Sequence, residues 1–363
     1  MKKVLVIGGY GNFGSYITKV LSQEADLKIT IAGRSEDKAK AFAAENTNVD
    51  YVVTDITKNL DETLSKLVPD IVIHTSGPFQ EQGYDVAESC IAHGCHYIDL
   101  ADGRDFVTGI DTLNQRAMQN NVTVISGASS VPSLSSAIIN EYKAEFLKLE
   151  EIDYGIATAQ QTNRGLATTS AILSYVGQPI KTLINGKAQN IYGWQDMHYE
   201  DYPQLGKRLL SNCEIPDLEI FPKAYPDLKT VRFYAGTEIQ FMHFGLWLMS
   251  WPVRWGWVKS LKPLGPALLK AAYMFDRLGS SNSAFHMHMK GVGMDCKPHQ
   301  KTIYIIARDG HGPYIPCIPS IVLCKKLART DVLKAGAYSG LGQVSLPEYL
   351  DALKGLDIEF IAE

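Results

Sequence analysis

The chain has 363 residues with 35 basic and 39 acidic side chains, a formal net charge of −4, 45% hydrophobic residues and 20% charged residues. This length suits about two domains, and this composition excludes a disordered or low-complexity chain. Without a basic excess to neutralise phosphates, nucleic acid is also excluded as the main partner.

The first 130 residues alternate between short apolar runs and segments of helical composition. The predicted strands cover 4–7, 28–32, 51–54, 71–74, 96–100 and 122–126, with helices such as 35–45 and 105–120 between them. This alternation is typical of βαβ units in a parallel sheet covered by helices on both faces. Residues 1–130 are therefore predicted to form a doubly wound α/β domain of the Rossmann type.

The first predicted strand leads directly into a glycine-rich loop, GGYGNFG. Gly9, Gly11 and Gly14 fit the G-x-G-x-x-G pattern, in which they allow a tight turn, close approach of a pyrophosphate and helix–sheet packing. An amphipathic helix follows, so its N-terminus is placed to bind the anion. With Tyr10, Asn12 and Phe13, these glycines are the predicted dinucleotide-binding loop. The alternative is a glycine-rich turn of an ordinary α/β protein.

The second predicted strand ends in Gly33, Arg34 and Ser35, without the carboxylate that binds an NAD ribose. Arg34 and Ser35 are predicted to bind a 2′-phosphate, which favours NADP over NAD. Alternatively, Arg34 is a solvated loop residue and Ser35 only caps the next helix. Asp55, after the third strand, is predicted to line the adenine pocket or to cap a helix.

Three further strand ends carry small or polar residues that converge on the same sheet edge, where ligands of open α/β sheets bind. The fourth strand ends in Ser76, Gly77, Pro78 and Phe79, which are predicted to lie near the ribose and nicotinamide. The fifth is followed by Asp99 and Asp102, and the sixth by Ser129. For Asp99, a purely structural ion pair is an equal alternative.

Beyond residue 130 the pattern changes to a second α+β domain, predicted for residues 131–318. A helix is expected near Pro132, a strand at 152–158, and a hairpin formed by strands 285–290 and 302–307. The tail, residues 319–363, contains two helical segments and a terminal strand. It is expected to pack back on the first domain.

Six scattered cysteines form no CxxC pair, and no compact Cys/His cluster has zinc spacing. His93 and His96 lack a third ligand and are interpreted as structural. The sequence therefore predicts reduced thiols, a cytoplasmic location and no metal site.

Several of these motifs together resemble a known family. They are GGYGNFG, Ala32-Gly33-Arg34-Ser35, the run from His74 to Ile139 (HTSGPFQEQGYDVAESCIAHGCHYIDLADGRDF to VISGASSVPSLSSAII), Gly312-Pro313-Tyr314-Ile315-Pro316 and Gly336-Ala337. This set is similar to the saccharopine dehydrogenase-like NAD(P)-dependent oxidoreductases. The resemblance implies a Rossmann domain, an α+β substrate and dimerisation domain, C-terminal elements that return to the first domain, and a homodimer.

The expected activity is hydride transfer between NADP(H) and a small-molecule carbonyl, imine or enoyl substrate. Saccharopine itself carries several carboxylates, which a cluster of Arg and Lys side chains would bind. The cations of residues 150–260 are scattered, which argues against saccharopine as the substrate. Hydride transfer needs a proton partner, for which Asp102 and Tyr97 are the predicted catalytic residues. Tyr175 and His198 of the second domain are further candidates. Two alternatives remain: a non-catalytic NADP-binding sensor or scaffold, and a synthase or lyase that uses NAD(P) without net redox change.

A tryptophan-rich stretch, residues 241–275, is predicted to form two apolar helices broken at Pro252 and Pro263. The favoured interpretation is a dimer interface or buried core. A peripheral membrane or lipid contact, with lysines reaching the headgroups, is the second, and a lid over an apolar substrate pocket is the third.

Overall fold

The computed structural model describes residues 1–329 and 333–363. Its strands are β1 (Lys2–Ile7), β2 (Leu27–Gly33), β3 (Val49–Val53), β4 (Ile71–His74), β5 (His96–Asp99), β6 (Thr123–Ser126), β7 (Phe146–Thr158), β8 (Pro179–Ile184), β9 (Lys187–Tyr192), β10 (His198–Tyr202), β11 (Gly206–Asn212), β12 (Thr230–Thr237), β13 (Ser283–Gly293), β14 (Pro298–Ala307), β15 (Gly336–Ser339) and β16 (Ile358–Ala362).

Its α-helices are α1 (Asn12–Leu21), α2 (Glu36–Glu45), α3 (Leu60–Leu67), α4 (Asp85–Ala92), α5 (Arg104–Thr108), α6 (Asn114–Gln119), α7 (Ser135–Tyr142), α8 (Leu166–Tyr175), α9 (Asp217–Ala224), α10 (Gln240–Arg254), α11 (Gly265–Tyr273), α12 (Ile318–Arg329) and α13 (Leu346–Ala352).

The chain divides into two compact units. The first contains Met1–Ile138 and Tyr314–Lys354, and the second contains Ile139–Pro313 and Gly355–Glu363. The first boundary falls within α7, a few residues after the change of sequence pattern near residue 130. In the tail, α12, β15 and α13 belong to the first unit, whereas β16 belongs to the second. Part of the expected tail segment, residues 330–332, lies outside the described residues.

The first unit is built on a parallel sheet of seven strands in the order β15-β6-β5-β4-β1-β2-β3. The chain starts in the middle at β1, builds outward through β2 and β3, then returns to β4 on the other side, so the topological switch point lies between β1 and β4. All four residues of β4 and of β6 are buried, as expected for strands covered on both faces. The predicted Rossmann fold class is confirmed.

Local sequence explains how the helices of this unit begin and pack. Ile17 and Leu21 on α1 are fully buried against the sheet. The hydroxyl of Ser35 caps α2, and a capping box between Ser345 and Glu348 starts α13. These elements position the loops at the carboxyl edge of the sheet.

The second unit is built on a mixed sheet of seven strands in the order β10-β11-β12-β7-β13-β14-β16. The 13-residue strand β7 lies at its centre, parallel to β12 and antiparallel to β13. The predicted hairpin is present, and β13 and β14 are longer than expected because pairing extends to Val292 and Pro298.

The tryptophan-rich stretch forms α10 and α11, but its predicted break at Pro252 is wrong. The helix α10 continues through Pro252 to Arg254, because a proline in the last turn costs only one backbone hydrogen bond. At 15 residues, α10 is too short to cross a bilayer, and among the described residues no other helix is long and apolar enough to do so.

Candidate functional site

The glycine-rich loop joins β1 to α1 in the shape that a dinucleotide pyrophosphate requires. Gly8 adopts φ = +79°, and its N–H donates to the carbonyl oxygen of Ala32 at 2.8 Å. Gly11 is the N-cap of α1 and accepts from the N–H of Ser15 at 2.9 Å. The first turn of α1 therefore presents its positive end to the loop, as an anion site requires.

Each of the three motif glycines meets a different spatial constraint. A Cβ atom at Gly14 would overlap the carbonyl oxygen of Gly8, and one at Gly9 would overlap the side chain of Ile31. A Cβ atom at Gly11 would meet only the Gly8 carbonyl oxygen, at 3.1 Å. Gly9 and Gly14 thus serve packing within the protein, whereas Gly11 leaves open space above the loop for a ligand.

Tyr10 connects this loop to the end of β2. Its ring lies so close to Gly33 that a Cβ atom there would overlap the phenol, and its hydroxyl accepts from the Ser35 N–H at 3.1 Å. The Ser35 hydroxyl accepts from the N–H of Lys38 at 3.4 Å, so Ser35 does cap α2. Arg34, between these residues, is exposed. The turn thus holds an accessible guanidinium beside the loop.

Asp55 follows β3 and is engaged in its own turn. Its carboxylate accepts from the N–H and the hydroxyl of Thr57, at 3.1 and 2.8 Å, and lies 3.6 Å from Lys58. The Thr57 hydrogen bonds lower the Asp55 pKa, with smaller contributions from Lys58 and Arg34. Asp55 therefore stabilises the turn that precedes α3, whose N-cap is Asn59, so the helix-capping interpretation of Asp55 is wrong.

The segment after β4 is held by a glutamine that the sequence analysis did not single out. The Gln82 side-chain amide donates to the carbonyl oxygens of Ser76 and Pro78, at 2.7 and 3.2 Å. Gly77 is exposed and Ser76 half-buried, so their backbone remains open at the sheet edge. The position of Gln82, a polar residue shortly after the Gly77–Pro78 turn, is the sequence feature from which this role could have been predicted.

Phe79 does not lie where the sequence analysis expected it. Its ring is buried and packs against His74 and Phe106, with ring centroids 5.0 and 5.2 Å apart. The ring therefore belongs to the core of the first unit, and its contribution at the sheet edge is to hold the Gly77–Pro78 backbone in place.

Asp99, the last residue of β5, is fully buried and accepts hydrogen bonds from three neighbouring groups. Its Oδ1 accepts from the N–H groups of Ala101 and Gly127 and from the Ser126 hydroxyl, at 2.9, 2.8 and 3.0 Å. Burial raises the Asp99 pKa to about 6, although these hydrogen bonds oppose the shift. Asp99 thus joins the ends of β5 and β6, close to the buried Ser129.

Asp102 and Tyr97, the two predicted catalytic residues, lie in different environments. Asp102 is exposed as a residue, and its Oδ1 accepts from the Gln80 side-chain amide at 3.0 Å. The protein atoms packed around the carboxyl group raise its pKa by desolvation. Tyr97 is fully buried, with its hydroxyl 3.1 Å from Nδ1 of His74. This burial argues against a catalytic role for Tyr97, because a substrate cannot reach its hydroxyl.

The loops that follow β1, β2, β4, β5 and β6 thus lie at one edge of the sheet of the first unit. Residues 4–125 match the family model for the saccharopine dehydrogenase NADP binding domain. The family resemblance is confirmed over this part of the chain, and the match indicates a domain that binds a nicotinamide dinucleotide. No curated protein sequence matches the chain.

Solved structures of low sequence identity share the fold over nearly the whole chain. Saccharopine dehydrogenase (L-Glu forming) from Saccharomyces cerevisiae is 13% identical, with a TM-score of 0.70 and coverage of 100% of both chains. Homospermidine synthase from Legionella pneumophila, in complex with NAD, is 11% identical, with a TM-score of 0.62 and coverage of 100% of this chain and 91% of that one. Amine dehydrogenase from Mycobacterium smegmatis is 9% identical, with a TM-score of 0.52 and coverage of 94% and 95%.

Proposed function

We propose that the protein is an NADP(H)-dependent oxidoreductase acting on a small-molecule carbonyl, imine or enoyl substrate, in the cytoplasm and as a homodimer. The observation that carries this proposal is the loop from Gly8 to Gly14, with open space above Gly11 and helix α1 packed directly on Gly8. Such a cradle fits a dinucleotide pyrophosphate, because backbone N–H groups and a helix N-terminus meet there.

Arg34 supports NADP over NAD as the cofactor. It is exposed at the end of β2, next to the turn that Tyr10 and Ser35 hold, and no carboxylate occupies residues 33–35. A guanidinium there would bind a 2′-phosphate, and the Ser35 hydroxyl would donate to the same group. The remaining proposed cofactor contacts are Gly9, Tyr10, Asn12, Phe13, Gly14, Asp55, Ser76, Gly77, Pro78 and Ser129, with Phe79 acting through the backbone.

When bound, the cofactor supplies or accepts a hydride, and the chain must supply or accept a proton. We assign that role to Asp102. Asp102 is exposed, its Oδ1 accepts from Gln80 at 3.0 Å, and desolvation raises the pKa of its carboxyl group above the usual value. A raised pKa lets a carboxylic acid donate its proton to the oxygen or nitrogen that becomes basic when the adjacent carbon receives a hydride.

The experiment that tests the proposed cofactor is a fluorescence titration of the purified protein with NADPH and NADH in parallel. Tight and selective binding of NADPH is the expected result. Equal affinity for both cofactors would remove the role of Arg34. Binding of neither would overturn the enzyme proposal itself.

A synthase without net redox change is the second candidate, since a homospermidine synthase has the same fold. Substrate screening separates the two activities by the cofactor. Product formation with a change in NADPH absorbance supports the oxidoreductase, and product formation without it supports the synthase. Tight cofactor binding without any turnover across the screen would indicate a sensor or scaffold.

We also propose that α10 and the segment up to α11 contact an anionic lipid surface. Phe241, Phe244 and Leu248 lie on one face of α10 and are about half exposed, and Trp255 and Trp257 are 55% and 75% exposed. A buried-core role for these side chains within the chain is therefore wrong. Residues 239–275 contain no Asp or Glu but carry Arg254, Lys259, Lys262 and Lys270. Exposed aromatics beside cations suit a bilayer with anionic headgroups.

Flotation with neutral and anionic vesicles tests this contact. Wild type is expected to float with anionic vesicles and to be released by salt, whereas a Trp255→Ala/Trp257→Ala variant is not expected to float. Met294→Ala, another exposed apolar side chain of the second unit, is the matched control. No flotation of wild type would overturn the lipid contact, and dissociation of a dimer by the double variant would show a second copy there instead.

A further inference from the structure

The second unit places two histidines and an aspartate on one face of its sheet. His286 and His288 alternate along β13, so both side chains point to the same side. Asp153 on β7 lies directly opposite His288 in the strand register. One carboxylate oxygen and one nitrogen from each ring lie within 4.8 Å of one another.

The Nε2 atom of His286 indicates that this cluster is a ligand site and not only a hydrogen-bonded network within the sheet. His286 is completely buried, yet its Nε2 has no hydrogen-bond partner among the described residues. Buried polar atoms without a partner are rare in native proteins, because desolvation without a compensating bond costs about 1–3 kcal/mol. A bound ion would satisfy this atom.

Each imidazole is also oriented by a hydroxyl group on its other nitrogen. Nδ1 of His286 is 2.8 Å from the Tyr202 hydroxyl, and Nδ1 of His288 is 3.1 Å from the Thr302 hydroxyl. With its proton on Nδ1, His286 carries a free electron pair on Nε2, whereas a metal ion at Nε2 of His288 would replace the present contact of that atom with Glu200. Metal-binding histidines are typically held in this way through the nitrogen that does not bind the metal.

The charges around the cluster fit a divalent cation. Besides Asp153, Glu200 lies against Nε2 of His288 at 3.2 Å and accepts from the Tyr304 hydroxyl at 3.0 Å. Lys290, 3.7 Å from Asp153, is the cation that the structure pairs with this carboxylate. Two carboxylates beside a single lysine thus favour a cation at the cluster.

The absence of a side chain at Gly155 leaves room for the His286 ring. A Cβ atom at Gly155 would lie 2.8 Å from Cε1 of His286 and 2.8 Å from the carbonyl oxygen of Tyr234. The glycine on the neighbouring strand thus allows the ring to lie over β7, towards Asp153.

We propose that Asp153, His286 and His288 bind a divalent transition-metal ion of the zinc type. Two imidazoles and one carboxylate are donors that zinc accepts, and three protein ligands leave an open coordination position. Glu200, now in contact with Nε2 of His288, would be released by a metal ion on that nitrogen and could hold a water molecule on the ion or complete the ligand set. This site involves no residue of the proposed cofactor site and does not depend on it.

The test is a titration of tag-free, chelator-treated protein with Co²⁺ and Zn²⁺. Co²⁺ bound to nitrogen and oxygen ligands is followed by its visible absorption, and Zn²⁺ by calorimetry and by the rise in thermal stability that a ligand of the native state causes. One equivalent of either ion is expected to bind. The exposed Cys296 is replaced by serine in all proteins, so that a surface thiolate cannot contribute.

Asp153→Asn and His288→Gln keep the side-chain size at positions that are 28% and 16% exposed, and each should weaken binding at least tenfold. His299→Gln is the matched control, because His299 lies on β14, outside the cluster, and pairs with Glu145. Circular dichroism checks that each variant is folded. The proposal is overturned if the parent protein binds no stoichiometric Co²⁺ or Zn²⁺, or if folded Asp153→Asn and His288→Gln bind as tightly as His299→Gln.

Discussion

The hydroxyl of Tyr10 accepts a hydrogen bond from the backbone N–H of Ser35 at 3.1 Å. This contact ties the glycine-rich loop after β1 to the turn after β2, two segments separated by 25 positions in the chain. The turn carries Arg34, so the phenol fixes the part of the structure that we propose distinguishes NADP from NAD. Tyr10 therefore acts through the shape of the site as well as by any direct contact.

Tyr10→Phe removes this hydrogen bond and keeps the ring against Gly33. We expect a loss of about 1 kcal/mol in the free energy of unfolding, because the Ser35 N–H loses its acceptor. Affinity for NADPH should fall several-fold, and more than affinity for NADH, because the turn is less restrained. Fluorescence titration measures both. Tyr51→Phe, a change at a partly exposed tyrosine of the same unit, is the control, and equal NADPH affinity in the two variants would contradict the role of Tyr10.

Gly11→Ala and Gly14→Ala should separate cofactor binding from folding. The new methyl group at residue 14 overlaps the Gly8 carbonyl oxygen, so that variant should lose about 1–3 kcal/mol of stability. The methyl group at residue 11 meets only one protein atom and extends into the space proposed for the pyrophosphate. Gly11→Ala should therefore unfold in urea nearly as wild type does but bind NADPH at least tenfold more weakly. Unchanged NADPH affinity in Gly11→Ala would show that the pyrophosphate lies elsewhere.

The sequence was sufficient for the first unit because its signals are local. Strand and helix alternate within 130 residues, and each signal, such as the loop glycines or the cap at Ser35, lies within a few residues of the strand or helix that it marks. Tyr97 and Phe79 were placed less well for a physical reason. The central strands of a parallel sheet are buried on both faces, so alternation does not show whether Tyr97 on β5 reaches the ligand edge. Phe79 lies in the loop after β4, where no periodic pattern indicates which way its ring points.

Only the two histidines of the cluster in the second unit could be placed together from the sequence. His286 and His288 alternate within a predicted strand, which already places them on one face. Their third partner depends on the pairing of β13 with β7, and that register joins residues about 130 positions apart. The Nε2 atom of His286 lacks a hydrogen-bond partner among the described residues because of tertiary packing, and no sequence pattern indicates this.

Arg34→Asp tests the proposed cofactor preference directly. The substitution removes the cation for the 2′-phosphate and adds a repelling carboxylate, so NADPH affinity should fall about 100-fold while NADH affinity changes little. Parallel titrations with both cofactors measure the two losses. Arg116→Asp makes the same charge change on α6, at an exposed arginine paired with Glu88, and should leave both affinities near those of wild type. Similar losses for NADPH and NADH in Arg34→Asp would show that Arg34 does not contact the 2′-phosphate.

Asp99→Asn should change how stability depends on pH. Burial raises the Asp99 pKa from 3.8 to about 6, so the native state holds this proton more tightly than the unfolded state. Wild type therefore carries the full benefit of the protonated carboxyl group below about pH 4 and loses about 3 kcal/mol as the pH rises through 6. The asparagine variant does not titrate, so its stability relative to wild type should rise by about that amount between pH 4 and pH 7.

The buried His74 changes the free energy of unfolding with pH in the opposite direction. Comparing wild type with Asp99→Asn cancels this contribution. Burial lowers the His74 pKa to about 4, so the unfolded state takes up a proton first and stability falls as the pH drops below about 6.5. Because His74 is present in both proteins, the difference between their unfolding free energies in urea isolates Asp99. Parallel pH profiles for wild type and Asp99→Asn would show that the Asp99 carboxyl group has the same pKa in the native and unfolded states, and that its hydrogen bonds to Gly127, Ala101 and Ser126 fully offset its burial.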